Sequence, residues 1–322
     1  MTNNILVCSA GRRVELVQAF KSSMENYLPY GKVFCTDMYP ELSSACHIAD
    51  NFFKAPRVTD TGYIDFLLSI CIENRVGLVV PTIDTELLIL AQNRERFEEH
   101  GITLVVSDVD LIKLCRDKRK TANLFSLLNI DQPSIFDKDN LTFPCFCKPY
   151  DGSCSVGALA IQSRSELTND LLSNPKNMFM ELIPKSYCEY TIDAYYTRDN
   201  NLKCLVPRKR LEVRGGEVSK GVTRKNFVYD YLLKRAKTLH GARGCITFQL
   251  FVNEETNSIK GLEINPRFGG GYPLANDAGA RFTDWLVKEY LCDDHHIHFF
   301  DSWEDDLIML RYDAKVLVRG NK

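Results

Sequence analysis

The stretch Leu262-Glu-Ile-Asn-Pro-Arg-Phe-Gly-Gly-Gly271 alternates polar and apolar side chains and then stops on a proline. Side chains two apart on a strand share a face, so Glu263 and Asn265 point one way while Ile264 turns into a core. A carboxylate beside an amide carbonyl is a hard-oxygen pair suited to Mg2+ that also holds nucleotide phosphates. Pro266 ends the ladder, Arg267 can reach the same phosphates, and the glycines leave the backbone open to close approach. On a strand read over 245–252, Gln249 alternates with apolar residues and can add a third oxygen. The plain alternative is a polar strand end closing a hairpin.

Two stretches upstream point the same way. Lys148-Pro-Tyr-Asp-Gly-Ser-Cys-Ser-Val-Gly157 places a lysine at a strand end before a small-residue turn holding Gly152 and Ser153, whose backbone N–H groups can approach phosphate oxygens. The lysine precedes the glycines and no helix follows, so this is not a Walker loop. Met180-Glu-Leu-Ile-Pro184 then runs out of a strand into a linker that offers backbone groups to an adenine edge, and Glu189 beyond it can accept from ribose hydroxyls. Between these and the metal strand lies 207–221, where Arg208, Arg210 and Glu212 alternate onto one face before Gly215-Gly216. It reads as a substrate- and phosphate-facing segment with Arg210 as its clamp. Glu212 and Glu217 are both candidates to deprotonate an amine.

The first hundred residues alternate strands (5–8, 32–36, 78–80, 103–106) with helices (12–23, 63–74, 85–98), the pattern of βαβ units and a parallel sheet. Turns at the strand ends would line one crevice, with Ser9, Gly11, Arg12, Asp37, Thr82, Asp84 and Glu86 as its candidates, facing Gly270 of the glycine turn. A dinucleotide-binding glycine fingerprint is missing, since the first turn holds only Gly11. Helices follow over 108–115 and 118–128, then strands at 143–148, 158–161 and 179–183 with a helix over 165–172. Long strands at 189–196, 203–210, 245–252 and 259–265, interrupted by a helix over 227–239, complete an antiparallel lobe. The expected domains are 1–107, 108–183 and 184–322.

Taken in order, these motifs resemble the ATP-grasp superfamily, most of all one half of a carbamoyl-phosphate synthase large chain and the related stand-alone carboxylate–amine ligases. The resemblance implies an α/β and α+β fold: a Rossmann-like pre-ATP-grasp lobe, a small α+β lobe and a larger antiparallel lobe. It also implies ATP held by Lys118, Lys148, Gly152, Ser153, Glu181, Leu182, Ile183 and Glu189. Mg2+, with Mn2+ able to replace it, would sit on Gln249, Glu263 and Asn265, and Arg267 would steady the transferring phosphoryl group. The implied reaction joins a carboxylate to an amine or ammonia through an acyl phosphate, releasing ADP and phosphate. Two departures stand out: glutamine where the superfamily more often has an acid at 249, and a single grasp unit without a glutaminase lobe. Kinase-like phosphoryl transfer and a non-catalytic nucleotide sensor remain as other readings.

Composition narrows the partners. Across 322 residues the formal charge is −2, which leaves no broad positive surface for nucleic acid or membrane. No apolar run nears the length of a membrane span. The chain opens directly into a strand-like run without the basic start of a signal peptide, which reads as cytoplasmic. The 12 cysteines are scattered through apolar segments and read as buried hydrophobes. Small molecules are therefore the expected partners, with a homodimer left open. The mixed charge at 9–12, 84–86, 208 and 270 suits a zwitterion such as an amino acid.

Overall fold

The structure, a computed structural model, describes residues 3–152 and 156–320. Its first unit is a parallel sheet of β1 (Asn4–Val7), β2 (Val33–Asp37), β3 (Asn51–Lys54), β4 (Val76–Val80) and β5 (Thr103–Leu104), ordered β3-β2-β1-β4-β5. Ile5, Leu6 and Val7 are fully buried, as a central parallel strand covered on both faces requires. The cover comes from α1 (Val14–Tyr27), α2 (Tyr63–Glu73), α3 (Asp84–Gln92) and α4 (Arg94–Glu98). The helix expected over 85–98 divides at Asn93, whose side-chain amide donates to the Ile89 carbonyl and competes with the helix ladder.

The helices α5 (Val109–Arg116) and α6 (Lys118–Leu127) lead to a four-stranded sheet of β6 (Ile135–Phe136), β7 (Cys145–Pro149), β8 (Leu159–Ile161) and β9 (Asn177–Glu181), ordered β6-β9-β7-β8. The helix expected over 165–172 is instead a 3-10 turn followed by α7 (Asn169–Ser173). Thr168 sets the break: its hydroxyl caps the Leu171 N–H, so the helix starts there and not at Ser165.

The last unit is a six-stranded sheet, ordered β14-β13-β10-β11-β12-β15. Its strands are β10 (Cys188–Tyr196), β11 (Leu202–Arg214), β12 (Glu217–Thr223), β13 (Gly244–Asn253), β14 (Ser258–Asn265) and β15 (Ile308–Leu310). Adjacent to it lie α8 (Phe227–Arg235), α9 (Tyr272–Asp277) and α10 (Phe282–Leu291). Gly215 and Gly216 both have positive φ and close the β11–β12 hairpin, so the expected segment over 207–221 is two paired strands.

Register gives this sheet two unlike faces. Tyr190, Ile192, Ala194, Phe248 and Ile264 are buried together on one side. Thr191, Gln249 and Glu263 stand opposite one another on the other side, as do Asp193, Thr247 and Asn265. A polar face on an otherwise apolar sheet is where a charged ligand can lie without opening the core. No helix among the described residues is long and apolar enough to cross a membrane. All eleven described cysteines are free, and most are buried.

Candidate active site

The polar face of the large sheet and the end of β7 bring the nucleotide and metal candidates together. Glu263 and Gln249 are direct cross-strand partners, and the Asn265 amide donates to the Glu263 carboxylate at 3.0 Å. The Lys118 ammonium lies 3.8 Å from Glu263 and donates to the Gly152 carbonyl at 2.5 Å. Lys148 is only 8% exposed. Burial pushes its ammonium down to about 8, helped by the like charge of Lys118 and opposed by Glu263 and Glu189. Between the sheets runs a narrow slot of mixed polarity lined by Ala122, Ile135, Met180 and Leu262 together with Gln132, Lys118 and Lys148. Its volume is about 10 Å³, so a base would have to part the two sheets to lie beside the paired lysines. The slot-lining methionines Met178 and Met180 were not singled out by residue type, because thioethers carry no polar signal.

Glu263 supplies the one carboxylate among the three metal candidates. Among the described residues no group of three His, Cys, Asp or Glu could hold a metal ion. Glu263, Asn265 and Gln249 share one face of β13 and β14, and their oxygens could hold Mg2+ together with nucleotide phosphates and water.

Other expected residues are placed differently. Glu181 ends β9 with both carboxylate oxygens 2.6 Å from Lys260, and it accepts from the Ser134 N–H. Its side chain thus ties the small sheet to β14. Leu182 and Ile183 follow in the connector to β10, without a turn or loop backbone hydrogen bond among the described residues. Glu189 receives Arg210 at 2.5 Å on Oε2. Arg210, expected as a clamp, therefore orients Glu189. Ser153 lies outside the described residues.

Arg208 is a correction. Its guanidinium is 1% exposed and bonds Asp193, itself fully buried, at 2.7 Å. A Cβ on Gly271 would collide with it, so the glycine turn covers Arg208 and shields it from substrate. Burial raises the Asp193 carboxyl, against the pull of Arg208. Glu212 is another: a β-bulge between Arg210 and Glu212 breaks the alternation and turns Glu212 toward Lys220 and Ser219.

The N-terminal crevice is partly as expected. Gly11, with φ of 50°, donates to Asp37 at 3.0 Å, while Asp37 also receives the Tyr39 N–H. Thr82 and Glu86 do not line the crevice, because both are fully buried beneath it. Thr82 donates to the Cys8 and Ser9 carbonyls, while Glu86 accepts from Ser9 and from Tyr63 at 2.8 Å. Burial raises the Glu86 carboxyl, the hydroxyl donors opposing it. Asp84 holds Arg267 through two bonds, at 2.9 and 2.7 Å, and the third arm of the guanidinium donates to the Phe268 carbonyl. Arg267 thus joins the metal strand to the first lobe. Arg12 is open to solvent and meets Glu217 at 3.5 Å. The Gly270 carbonyl accepts from Arg311 at 2.6 Å. Arg311 was missed, because it lies far along the chain, just after β15.

A parallel lobe, a small four-stranded sheet, and a large sheet whose polar face meets the slot between them define the ATP-grasp fold. Residues 5–105 match a family model described as a PylC-like N-terminal domain, and residues 173–303 match one described as ATP-grasp in the biosynthetic pathway with Ter operon. No curated protein matches the sequence. Among solved structures, the biotin carboxylase domain of the Hydrogenobacter thermophilus 2-oxoglutarate carboxylase is similar with a TM-score of 0.72 at 13% identity, over 95% of this chain and 73% of that one. N5-carboxyaminoimidazole synthetase from Staphylococcus aureus is similar at 0.66 and 15%, over 88% and 76%. An L-amino acid ligase from Bacillus licheniformis is similar at 0.68 and 14%, over 92% and 77%. Identities this low speak for the fold and leave the substrate open.

Proposed function

We propose that this chain is a Mg2+- and ATP-dependent carboxylate–amine ligase that works through an acyl phosphate and releases ADP and phosphate. The observation that carries the reading is the meeting of Lys118, Lys148, Glu189 and Glu263 beside one narrow slot. The S. aureus synthetase is described as complexed with ADP, and the H. thermophilus domain with MgADP and bicarbonate. Together with the amino acid ligase, they support the ligase reading.

The base parts the two sheets to lie in the slot, with Leu182 and Ile183 at its edge and Glu189 on the ribose through the oxygen that Arg210 leaves open. Lys118 and Lys148 meet the phosphates, and moving the γ-phosphoryl group is then largely a matter of positioning and fixed charge. Mg2+ held by Glu263, Asn265 and Gln249 would supply electrostatic stabilisation of the phosphates when bound. Arg267 acts through its bonds to Asp84 by holding the first lobe against the metal strand. The free thiols suit a reducing, cytoplasmic setting.

The experiment supplies Mg-ATP and a panel of carboxylic acids, with hydroxylamine in place of the amine. The expected product is a hydroxamate, with heavy oxygen from labelled carboxylate appearing in the released phosphate. AMP and pyrophosphate would overturn the acyl-phosphate route. Phosphorylated acceptor without hydroxamate would mark a kinase, and tight ATP binding without turnover a sensor.

A further inference from the structure

The sequence offered two carboxylates for handling an amine, Glu212 and Glu217, and the fold separates them. The bulge in β11 sends Glu212 away to Lys220. Glu217, the first residue of β12, faces the glycine turn: a Cβ placed on Gly270 would come within 3.2 Å of its carboxylate. Its ion pairs are loose, Arg12 at 3.5 Å and Arg311 at 3.8 Å, and both fall on Oε2. No hydrogen bond to either carboxylate oxygen forms among the described residues. Glu217 is therefore a half-exposed acceptor beside an opening that Gly270 keeps clear.

Arg13 stands at the N-terminus of α1, next in the chain to Arg12, which reaches Glu217. Of the other guanidinium groups nearby, Arg267 is matched by Asp84 and Arg311 by Glu15, while Arg12 is open to solvent and only loosely paired with Glu217. Arg13 donates only to the Thr82 carbonyl, at 3.1 Å, and has no carboxylate within ion-pair distance among the described residues. Burial, with Arg267 adding to it, pushes its guanidinium down to about 10, while Glu217 and Asp84 oppose the change. The crevice thus holds one unmatched cation and one under-used carboxylate close enough to feel each other.

We propose that Arg13 and Glu217 form the subsite of the amine substrate, and that this substrate is an α-amino acid, its carboxylate on Arg13 and its ammonium on Glu217. The proposal rests on the ligase reading above. In the joining step Glu217 takes one proton from the ammonium. The freed nitrogen lone pair bonds to the acyl carbon of the acyl phosphate. The C–O bond to the phosphoryl group then breaks, phosphate leaves with the electron pair, and it takes the second proton from nitrogen.

The test gives the protein Mg-ATP and the panel of carboxylic acids with an equimolar mixture of the twenty standard amino acids as the amine, and in parallel with hydroxylamine as the amine. Hydroxylamine is uncharged near neutral pH and carries no carboxylate, so it needs neither residue. Glu217→Gln should slow peptide formation by about a hundredfold, the scale of a lost general base, and hydroxamate formation far less. Arg13→Gln should raise the amino acid KM about tenfold or more while leaving the KM of ethylamine, offered as donor, near wild type. Glu217→Asp and Arg13→Lys should recover part of each loss, and an unchanged Mg-ATP thermal shift shows that the variants fold. Equal losses with amino acids and hydroxylamine would overturn the proposal, as would an amino acid KM unmoved in Arg13→Gln. A wild-type protein that makes hydroxamates but never uses an amino acid as amine also overturns it while leaving the ligase reading intact. Absence of any hydroxamate sinks that reading itself.

Discussion

Lys148 joins burial and chemistry in one side chain. Its ammonium is desolvated by β7 and the slot, and the phosphates that would compensate it come from the ligand. With burial holding it at about 8, protonation changes within reach of experiment. Only the charged form attracts phosphate, so Mg-ATP affinity should be level at lower pH and weaken as pH rises through about 8, by at most about tenfold per unit. Bound phosphate raises the same pKa, so binding above that point must take up a proton. Calorimetry in buffers of different ionisation enthalpy reads this uptake directly, and Lys148→Arg should abolish it. Binding without proton uptake there would remove Lys148 from the phosphates. Arg208 makes the opposite case: its guanidinium is buried and already faces the carboxylate of Asp193, so its charge is offset within the fold.

At the scale of elements, the contact that orders the site is the end of β14 against the start of α3. Asp84 lies in the first turn of α3 and grips Arg267 with both oxygens. The pair is mostly buried, so Asp84→Ala should cost about 2 kcal/mol by leaving the guanidinium unpaired. Arg267→Ala should cost about as much, and the double variant should fall short of the sum by about 1 kcal/mol or more. Urea denaturation of the four proteins measures this coupling, and additive losses would show that the two elements are joined by something else. The strand alternation of 262–265 was legible from residue order alone, as were the apolar strands β1, β2, β4 and β5, whereas the half-exposed β3 was not read. The pairing of Asp84 with Arg267 was not, since nothing local links positions so far apart. Bulges hide in the same way: the run Arg208, Arg210, Glu212 keeps perfect period two in sequence, and only the partner strand shows that Leu211 is extra. The glycine pair at 215–216 was read as a turn, but not as the join of two paired strands, and β15 is short and solvent-facing and leaves no pattern to read.

For the molecule as a whole, the cores are divided unequally. One apolar cluster runs from Ile5 and Val80 of the first lobe through Phe125 of α6 to Phe248 and Ile264 of the large sheet. The four-stranded sheet has its own small core of Cys145, Cys147, Ile161 and Phe179. It is tied to the rest chiefly by polar bridges, Glu181 to Lys260 and Gly152 to Lys118. A sheet with so little apolar burial in common with its neighbours should open below the global unfolding free energy. Mg-ATP, seated between the two sheets, binds only while both flank it. At about a hundred times its dissociation constant it adds about 2.7 kcal/mol to that closed arrangement, a slowing of about a hundredfold for amides that exchange by opening it. Hydrogen exchange should therefore slow most in β7 and β9. Amides of α2 and β3, on the first lobe away from the slot, should keep their rates where they exchange by local opening. Equal slowing everywhere would mean that the nucleotide stabilises a single cooperative unit, and unchanged rates in β7 and β9 would place the nucleotide elsewhere.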